Sequence, residues 1–308
     1  MVEKAQFSTQ LLHPRYWLLW LGIGLAKLAT FLPMRWQMKL GAVIGRLAMK
    51  FAGKRLATAR RNIELCFPDK TPAQQQHLLQ RNFEETGKAI FDTVNAWWWS
   101  DARIKRHMQI KGQEHVQQTL DDGQGVILFA VHCLPLEMGA RIFGQFHPGV
   151  GVYRPHNNPL MEYLQVQGRL RSNKALIPKR DLRQMVRCLR NADVIWYTAD
   201  QDFGRSSAVF IPFFAVKEAA TITGGTTLAK LGKAKVLPFF VERNADDNGY
   251  TIDIQPPLDD FPGENELEDA LRGNGIIEQL ISRNLPQYMW LHRRFKTRPD
   301  ADTPSLYR

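Results

Sequence analysis

Short apolar runs that recur from residue 125 onward constrain the fold more than any other feature of this sequence. The run GVILFAV at 125–131 is continuous rather than alternating, which is typical of a strand buried on both faces of a parallel sheet. Further strand-like segments, separated by helical stretches, occupy residues 150–154, 194–199, 235–242 and 250–255. This alternation predicts an α/β fold in which a mostly parallel central sheet is flanked by helices.

The N-terminal third of the chain is predicted to be helical. Residues 34–110 show helical patterning that is interrupted at Pro68, and Thr71 is placed as the N-cap of a helix over about 72–99. That helix ends in three adjacent tryptophans, Trp97–Trp99. Adjacent residues cannot share one helix face, so we expect most of these rings in the core and the remaining one at a surface.

An apolar segment from Tyr16 to Pro33, interrupted by Lys27, indicates contact with a membrane. It holds about 17 apolar residues, the short limit for a spanning helix, and Trp17 and Trp20 suit a headgroup interface. The cations that follow it are Arg35, Lys39, Arg46, Lys50, Lys54, Arg55, Arg60 and Arg61. The segment either crosses the bilayer, with the body in the cytoplasm, or lies in the interface; a buried core helix is the remaining interpretation.

The chain therefore divides into an anchor segment at 1–33 and a body at 34–308, which is helical over 34–110 and α/β over 111–308. Lys and Arg total 41 against 30 Asp and Glu, a net charge of +11 that suits an acidic protein, a membrane surface or nucleic acid as partner. The three cysteines are far apart, which argues against a metal site. Neither a phosphate-binding lysine loop nor GxGxxG occurs, so we expect no nucleotide or other cofactor.

Chemistry-bearing residues follow the predicted strands, where sites of open α/β sheets gather. The first strand leads into His132-Cys133-Leu134-Pro135-Leu136-Glu137, so a strand-to-helix turn can bring His132 and Glu137 together. A carboxylate on one imidazole nitrogen would orient the ring, and the other nitrogen could then take a proton from a hydroxyl. Later strand ends and loops supply the candidate substrate-binding residues Arg154, Arg169, Arg171 and Asp200.

These segments resemble a known family over nearly the whole chain. HCLPLE at 132–137, YRPHNNPLMEYLQ, GRLRSNK, ADQDFG, SSAVFIPFFAV and the closing QYMWLHRRFKTRP are similar to the late acyltransferases of lipid A biosynthesis, the Kdo-dependent lauroyl and palmitoleoyl transferases of Gram-negative bacteria. The wider group is the lysophospholipid acyltransferase superfamily, whose first motif is His-x4-Asp/Glu. LLHPRYWLLWLGIG and RRNIELCFP near the start also look like that family.

The resemblance implies transfer of a fatty acyl group from acyl carrier protein to a hydroxyl of a Kdo-bearing lipid A precursor in lipopolysaccharide biosynthesis. The precursor that it implies is a tetraacylated, bis-phosphorylated glucosamine disaccharide. It implies an N-terminal anchor in the bacterial inner membrane, with the acyltransferase domain at the cytoplasmic face. His132 and Glu137 are implied as the catalytic pair, and Arg169 and Asp200 match other family positions. We further assign Arg169 to an oxyanion or an acceptor phosphate, and Asp200 to orienting Arg169 or a sugar hydroxyl.

Two other functions stay open at this level. One is a glycerophospholipid or lysophospholipid acyltransferase, although ADQDFG differs from the FPEGT-like block of the glycerol-phosphate enzymes. The other is a non-enzymatic basic binding protein at a membrane. A nucleic-acid binder is disfavoured because the cations are spread out and no zinc-finger or RNA-recognition signature occurs.

Overall fold

The computed structural model of the protein describes residues 1–206, 208–300 and 302–307. Its helices are α1 (Trp17–Ala29), α2 (Met34–Phe51), α3 (Gly53–Cys66), α4 (Pro72–Trp98), α5 (Asp101–Arg106), α6 (Gln113–Asp121), α7 (Leu136–Phe143), α8 (Pro159–Arg169), α9 (Leu182–Arg190), α10 (Gly224–Gly232) and α11 (Glu266–Arg283). Its strands are β1 (Met108–Lys111), β2 (Val126–Ala130), β3 (Gly149–Tyr153), β4 (Asn173–Pro178), β5 (Val194–Thr198), β6 (Ala208–Phe213), β7 (Val216–Ile222), β8 (Lys235–Arg243) and β9 (Tyr250–Ile254).

Seven strands form one sheet in the order β1-β9-β8-β2-β5-β3-β4, and β6 and β7 form a separate antiparallel hairpin. Within the sheet every pairing is parallel except that of β8 with β9. Strand β2 is buried at all five positions, as its continuous apolar run predicts. The predicted α/β class is confirmed, whereas β1, β4 and the hairpin were not predicted.

Helix α4 connects the helical N-terminal region to the sheet. Thr71 and Gln74 form a capping box at its start, so the predicted N-cap is confirmed. At its end Trp99 is buried, and the partly buried Trp97 and Trp98 pack against the core, which agrees with the expectation that most of the three rings are core residues.

A buried ionic network fixes α4 against β8. The guanidinium of Arg243 on β8 pairs with the carboxylates of Asp92 and Glu85 on α4, and all three side chains are buried. The hydroxyl of Tyr250 donates to Asp92 at 2.7 Å. Burial by itself raises the pKa of Glu85, but Arg243 and Lys88 lower it more, so the net pKa lies below its ordinary value. The charges are thereby compensated, as buried ions require.

Helix α2 packs on α4 at a very short separation that requires glycine. A Cβ on Gly45 would lie 2.0 Å from the carbonyl oxygen of Phe83, and a Cβ on Gly87 would lie 2.0 Å from that of Gly41. One side of α2 therefore packs against α4, and the opposite side is exposed.

The predicted anchor segment folds as the 13-residue helix α1, which contains no buried residue. The core-helix interpretation is therefore wrong, although the partly buried Leu19, Trp20 and Ile23 pack on a small cluster around Leu160. In the part of the chain that the structure describes, none of the helices has the length and apolar character needed to span a membrane.

Candidate active site

His132 lies in the turn between β2 and α7, and Asp200 holds it through two hydrogen bonds. The imidazole Nδ1–H donates to Asp200 Oδ1 at 2.7 Å, and the backbone N–H of His132 donates to Oδ2 at 3.0 Å. The side chain of Asp200 is 1% exposed and that of His132 is 23% exposed. A buried carboxylate thus orients an imidazole that is still partly exposed to solvent.

The register of the sheet explains this pair. Strands β2 and β5 are parallel neighbours in which Ala130 lies opposite Thr198. His132 lies two residues after Ala130 and Asp200 lies two residues after Thr198, so both residues lie next to each other just beyond the ends of the two strands. Adjacent parallel strands end at the same edge of the sheet, so the residues that follow them lie close together there. Asp200, which is distant in sequence, therefore becomes the partner of the His132 imidazole.

Glu137 does not orient His132, so the predicted pairing of these two residues is wrong. Glu137 lies in the first turn of α7, and its carboxylate accepts from Arg169 Nε at 2.9 Å, from Arg169 Nη2 and from Trp97 Nε1 at 3.3 Å. The expectation that Asp200 orients Arg169 is wrong as well, since Asp200 is engaged by His132, whereas its other predicted role, orienting a sugar hydroxyl, stays a prediction. Arg169 is held by Glu137 instead.

Electrostatics set the protonation states of both pairs. Burial lowers the pKa of His132, but the carboxylate of Asp200 outweighs this and holds the pKa above its ordinary value. Burial raises the pKa of Asp200, yet the charge and hydrogen bonds of His132 leave it lowered. Burial likewise raises the pKa of Glu137, and Arg169 reverses the shift, so the carboxyl stays ionised. A raised pKa means that His132 becomes a neutral base only above the pH at which a free imidazole would.

The second imidazole nitrogen faces Thr198, a residue that the sequence did not single out. Because Nδ1 carries its proton toward Asp200, Nε2 is the atom with a lone pair, and the Thr198 hydroxyl lies 3.3 Å from it. The space next to His132 Nε2 therefore already holds one hydroxyl group, that of Thr198. The sequence signal was available, because Thr198 is the last residue of β5 and precedes Asp200 by two positions.

The remaining predicted substrate-binding arginines have different surroundings. Arg154 is exposed directly after β3. Arg171 donates from Nη2 to the carbonyl oxygen of Trp99 at 2.9 Å and from Nη1 to that of Trp97, so its guanidinium caps the end of α4. These contacts give Arg171 a structural role and do not support its prediction as a substrate-binding residue.

Cys133, next to the imidazole, is buried and not available to solvent. Its backbone forms an isolated antiparallel bridge with Tyr288, and the N–H of Met289 donates to the carbonyl oxygen of His132 at 3.1 Å. The C-terminal segment therefore supports the turn that carries His132. Burial, followed by the charge of Asp200, raises the pKa of the Cys133 thiol well above its usual range. No cluster of side chains suited to hold a metal ion occurs among the described residues.

Comparison with known proteins defines the class of enzyme to which this α/β fold and site belong. A family profile described as bacterial lipid A biosynthesis acyltransferase matches residues 4–297 and so includes both pairs described above. The protein is an acyltransferase. A lipid A biosynthesis acyltransferase of Haemophilus influenzae is 47% identical over 99% of this chain and 98% of its own length. The chain belongs to the bacterial lipid A biosynthesis acyltransferases, which confirms the resemblance seen in its motifs.

Two Escherichia coli proteins show similarity over the full length of both chains. The lipid A biosynthesis lauroyltransferase is 43% identical, and the lipid A biosynthesis palmitoleoyltransferase is 40% identical; each alignment covers 100% of this chain and 100% of the relative. The glycerophospholipid and non-enzymatic alternatives are thereby disfavoured. As a lipid A biosynthesis acyltransferase, the protein uses an acyl donor and a lipid A precursor.

Proposed function

We propose that this protein transfers a lauroyl or palmitoleoyl chain from acyl carrier protein to a hydroxyl of a Kdo-bearing lipid A precursor. The observation that carries the mechanism is the Asp200–His132 pair, in which the His132 side chain is 23% exposed and its Nε2 lies 3.3 Å from the Thr198 hydroxyl. Full-length similarity to both a lauroyl and a palmitoleoyl transferase supports the choice of acyl chain. The net charge of +11 suits an acidic carrier protein and a phosphorylated acceptor.

In this mechanism His132 Nε2 takes the proton of the acceptor hydroxyl while the oxygen attacks the thioester carbonyl carbon. The C=O π electrons move onto oxygen and form a tetrahedral oxyanion. The backbone N–H groups of Glu137 and Met138 in the first turn of α7 have no hydrogen-bond acceptor among the described residues, and they are our candidate oxyanion donors. Collapse of the intermediate breaks the C–S bond, and the imidazolium returns its proton to the leaving thiolate.

Glu137 and Arg169 have a supporting role in this proposal. Their ion pair, steadied by the indole of Trp97, fixes the first turn of α7 against the end of α8. The pair therefore sets the position of the candidate oxyanion donors relative to His132. A guanidinium that is already engaged by a carboxylate can still present its remaining N–H groups to an acceptor phosphate or to the oxyanion.

A mixed-donor assay tests the reaction and its chain preference together. Purified protein is incubated with equal amounts of lauroyl- and palmitoleoyl-carrier protein and the tetraacylated Kdo-bearing precursor, and the acceptor is analysed by mass spectrometry. We expect a mass increase of one acyl group, with one of the two chains predominating. Acylation of 1-acyl-glycerol phosphate in place of the disaccharide, or no acceptor product with either donor, would contradict the proposal.

We also propose that residues 1–33 anchor the acyltransferase domain, residues 34–308, at the inner membrane, and that α2 shares in this contact. The exposed large apolar side chains on these helices are Trp17, Leu18, Leu21, Leu25 and Leu28 of α1 and Trp36, Leu40, Val43, Leu47 and Phe51 of α2. On α2 they recur every three or four residues, opposite the side that packs on α4. The exposed cations Arg35, Lys39 and Lys50 lie among them and suit anionic headgroups.

The pair of substitutions Leu18→Asp and Phe51→Asp is expected to weaken binding to vesicles of anionic phospholipid about 10- to 100-fold. The two side chains are 82% and 85% exposed, so the changes remove lipid contact without disturbing the core, and burial of one such side chain contributes about 1.5–3 kcal/mol. Vesicle co-sedimentation measures the effect. The control pair Leu231→Asp and Leu267→Asp makes the same chemical change at exposed positions elsewhere. Equal losses in both pairs would rule out this face as the membrane contact.

A further inference from the structure

Four exposed cations meet at the edge of the sheet that carries His132. Arg154 directly follows β3, and Lys179 directly follows β4; these strands are parallel neighbours with Tyr153 opposite Pro178. The N–H of Lys179 also donates to the carbonyl oxygen of Tyr153 at 2.8 Å. Adjacent strands lie about 4.8 Å apart, so the backbones of Arg154 and Lys179 are held side by side, with Arg180 next in sequence.

The C-terminal segment brings the fourth cation, Lys296, to the same edge. Thr297 donates to Asp202 through its backbone N–H and through its hydroxyl, each at 2.7 Å. Asp202 lies in the loop after β5, two residues beyond Asp200. Three strand-end loops and the C-terminal segment therefore converge beside the imidazole.

No carboxylate balances this group of cations. Within the described ranges, the side chains of Arg154, Lys179, Arg180 and Lys296 form neither an ion pair nor a hydrogen bond with an acidic residue. The nearby acids are engaged elsewhere: Asp181 caps α9, and Asp202 binds Thr297. Lys179 Nζ instead lies 4.8 Å from the centroid of the Phe203 ring.

Repulsion from its neighbours contributes to a lowered pKa of Lys179. Partial burial, and then the charges of Arg154, Arg180 and Lys296, lower the pKa of Lys179. The charge of Lys179 acts to lower the pKa of His132 as well, and that of Lys296 acts to lower the pKa of His292. Like charges that are crowded without a counterion are unfavourable, and a bound anion would remove the repulsion.

We propose that Arg154, Lys179, Arg180 and Lys296 form a binding site for a phosphate group of a substrate, adjacent to the reacting hydroxyl. This inference rests on the proposed function and identifies which residues recognise the anionic part of a substrate. A phosphate presents several strong acceptor oxygens and up to two negative charges, which fits one or two guanidinium forks together with two ammonium groups. The phosphate can belong to the acceptor disaccharide or to the phosphopantetheine arm of the acyl donor.

The test combines kinetics with direct binding. The pair Lys179→Gln and Lys296→Gln removes two charges and keeps the side-chain lengths similar, and the pair Lys105→Gln and Lys230→Gln removes the same charge from exposed positions on α5 and α10. We expect the first pair to raise KM about 10- to 100-fold for one substrate, with kcat within about twofold of wild type, because hydrogen bonds to charged groups are lost but no reacting atom is touched. The control pair should leave both KM values near wild type.

The substrate whose KM rises identifies the source of the phosphate. An increase for the lipid A precursor places the disaccharide phosphate in the site, and an increase for acyl carrier protein places the phosphopantetheine phosphate there. Both KM values staying within the range of the control pair would overturn the proposal, as would a loss confined to kcat.

Calorimetric binding separates this inference from the proposed function, because it needs no turnover. The probes are a bis-phosphorylated glucosamine disaccharide and 4′-phosphopantetheine, each titrated into the full chain. Wild type should bind one of them at least tenfold more tightly than the Lys179→Gln, Lys296→Gln pair does. If that difference is found while the protein transfers no acyl group, the phosphate site stands and the proposed function fails. If the affinities are equal, the site fails whatever the activity.

Discussion

His132→Ala is expected to lower kcat/KM for acyl transfer about 10²- to 10⁴-fold. The substitution removes the only group that can accept the acceptor proton at the position of Nε2 in the proposed mechanism, and general-base catalysis typically contributes about 3–5 kcal/mol to lowering a barrier. The binding surfaces for both substrates stay in place, so the loss should fall on kcat more than on KM. Initial rates with purified enzyme in detergent, measured against both substrates, provide the comparison.

His77→Ala is the matched control for this experiment. His77 is exposed on α4, so its removal changes the histidine content without touching the edge of the sheet. Equal thermal unfolding temperatures of the two variants would show that the fold is retained. Turnover of His132→Ala within a few fold of the control would remove His132 from the mechanism.

Asp200→Asn is expected to lower the maximal kcat/KM by about 10²-fold or more and to shift its acidic limb to lower pH. The carboxylate fixes the Nδ1–H tautomer and stabilises the imidazolium, and an amide can do neither as well. In the wild type Asp200 raises the pKa of His132, so activity should appear only above the ordinary imidazole range near 6.5. Without the carboxylate the pKa of His132 falls, and the neutral base persists to lower pH.

The pH profile of Glu137→Gln distinguishes the observed arrangement from the one predicted from sequence spacing. If Glu137 held the imidazole, its replacement would move the acidic limb of the profile. Because Glu137 is bound by Arg169 and Trp97, we expect a lower rate with the limb unmoved. An acidic limb of the pH profile that shifts in Glu137→Gln but not in Asp200→Asn would contradict the structure.

The sequence predicted most of the sheet because its strands carry a strong local signal. A continuous apolar run marks β2, and strand-like segments mark β3, β5, β8 and β9, each within one or two residues of its observed bounds. Strand β4 was missed because it begins at Asn173-Lys174, the last two residues of the polar segment GRLRSNK, where polarity obscures a short buried run. The β6–β7 hairpin has no tight two-residue glycine turn, the signal by which a hairpin is most readily recognised.

The prediction of contacts within the candidate site relied on short spacings in the sequence and missed the contact between distant residues. The sequence predicted that Glu137 orients His132 and that Asp200 orients Arg169, whereas the structure pairs His132 with Asp200 and Glu137 with Arg169. Glu137 is five positions from His132 and Asp200 is 68 positions from it, so sequence proximity favoured the wrong carboxylate. The decisive fact is that β2 and β5 are neighbours, and strand order depends on long-range packing that periodicity does not encode.

The burial of Cys133 has a chemical consequence if the acyl donor is the thioester that we propose. In the proposed mechanism, a thiolate beside the imidazole of His132 would exchange with the incoming donor and trap the fatty chain on the protein itself. Because the Cys133 sulfur is buried and its pKa is raised, it stays protonated and out of reach of the donor carbonyl. In the proposed reaction the acceptor alcohol therefore meets an intact donor, and the packing that holds the turn after β2 also protects the site against self-acylation.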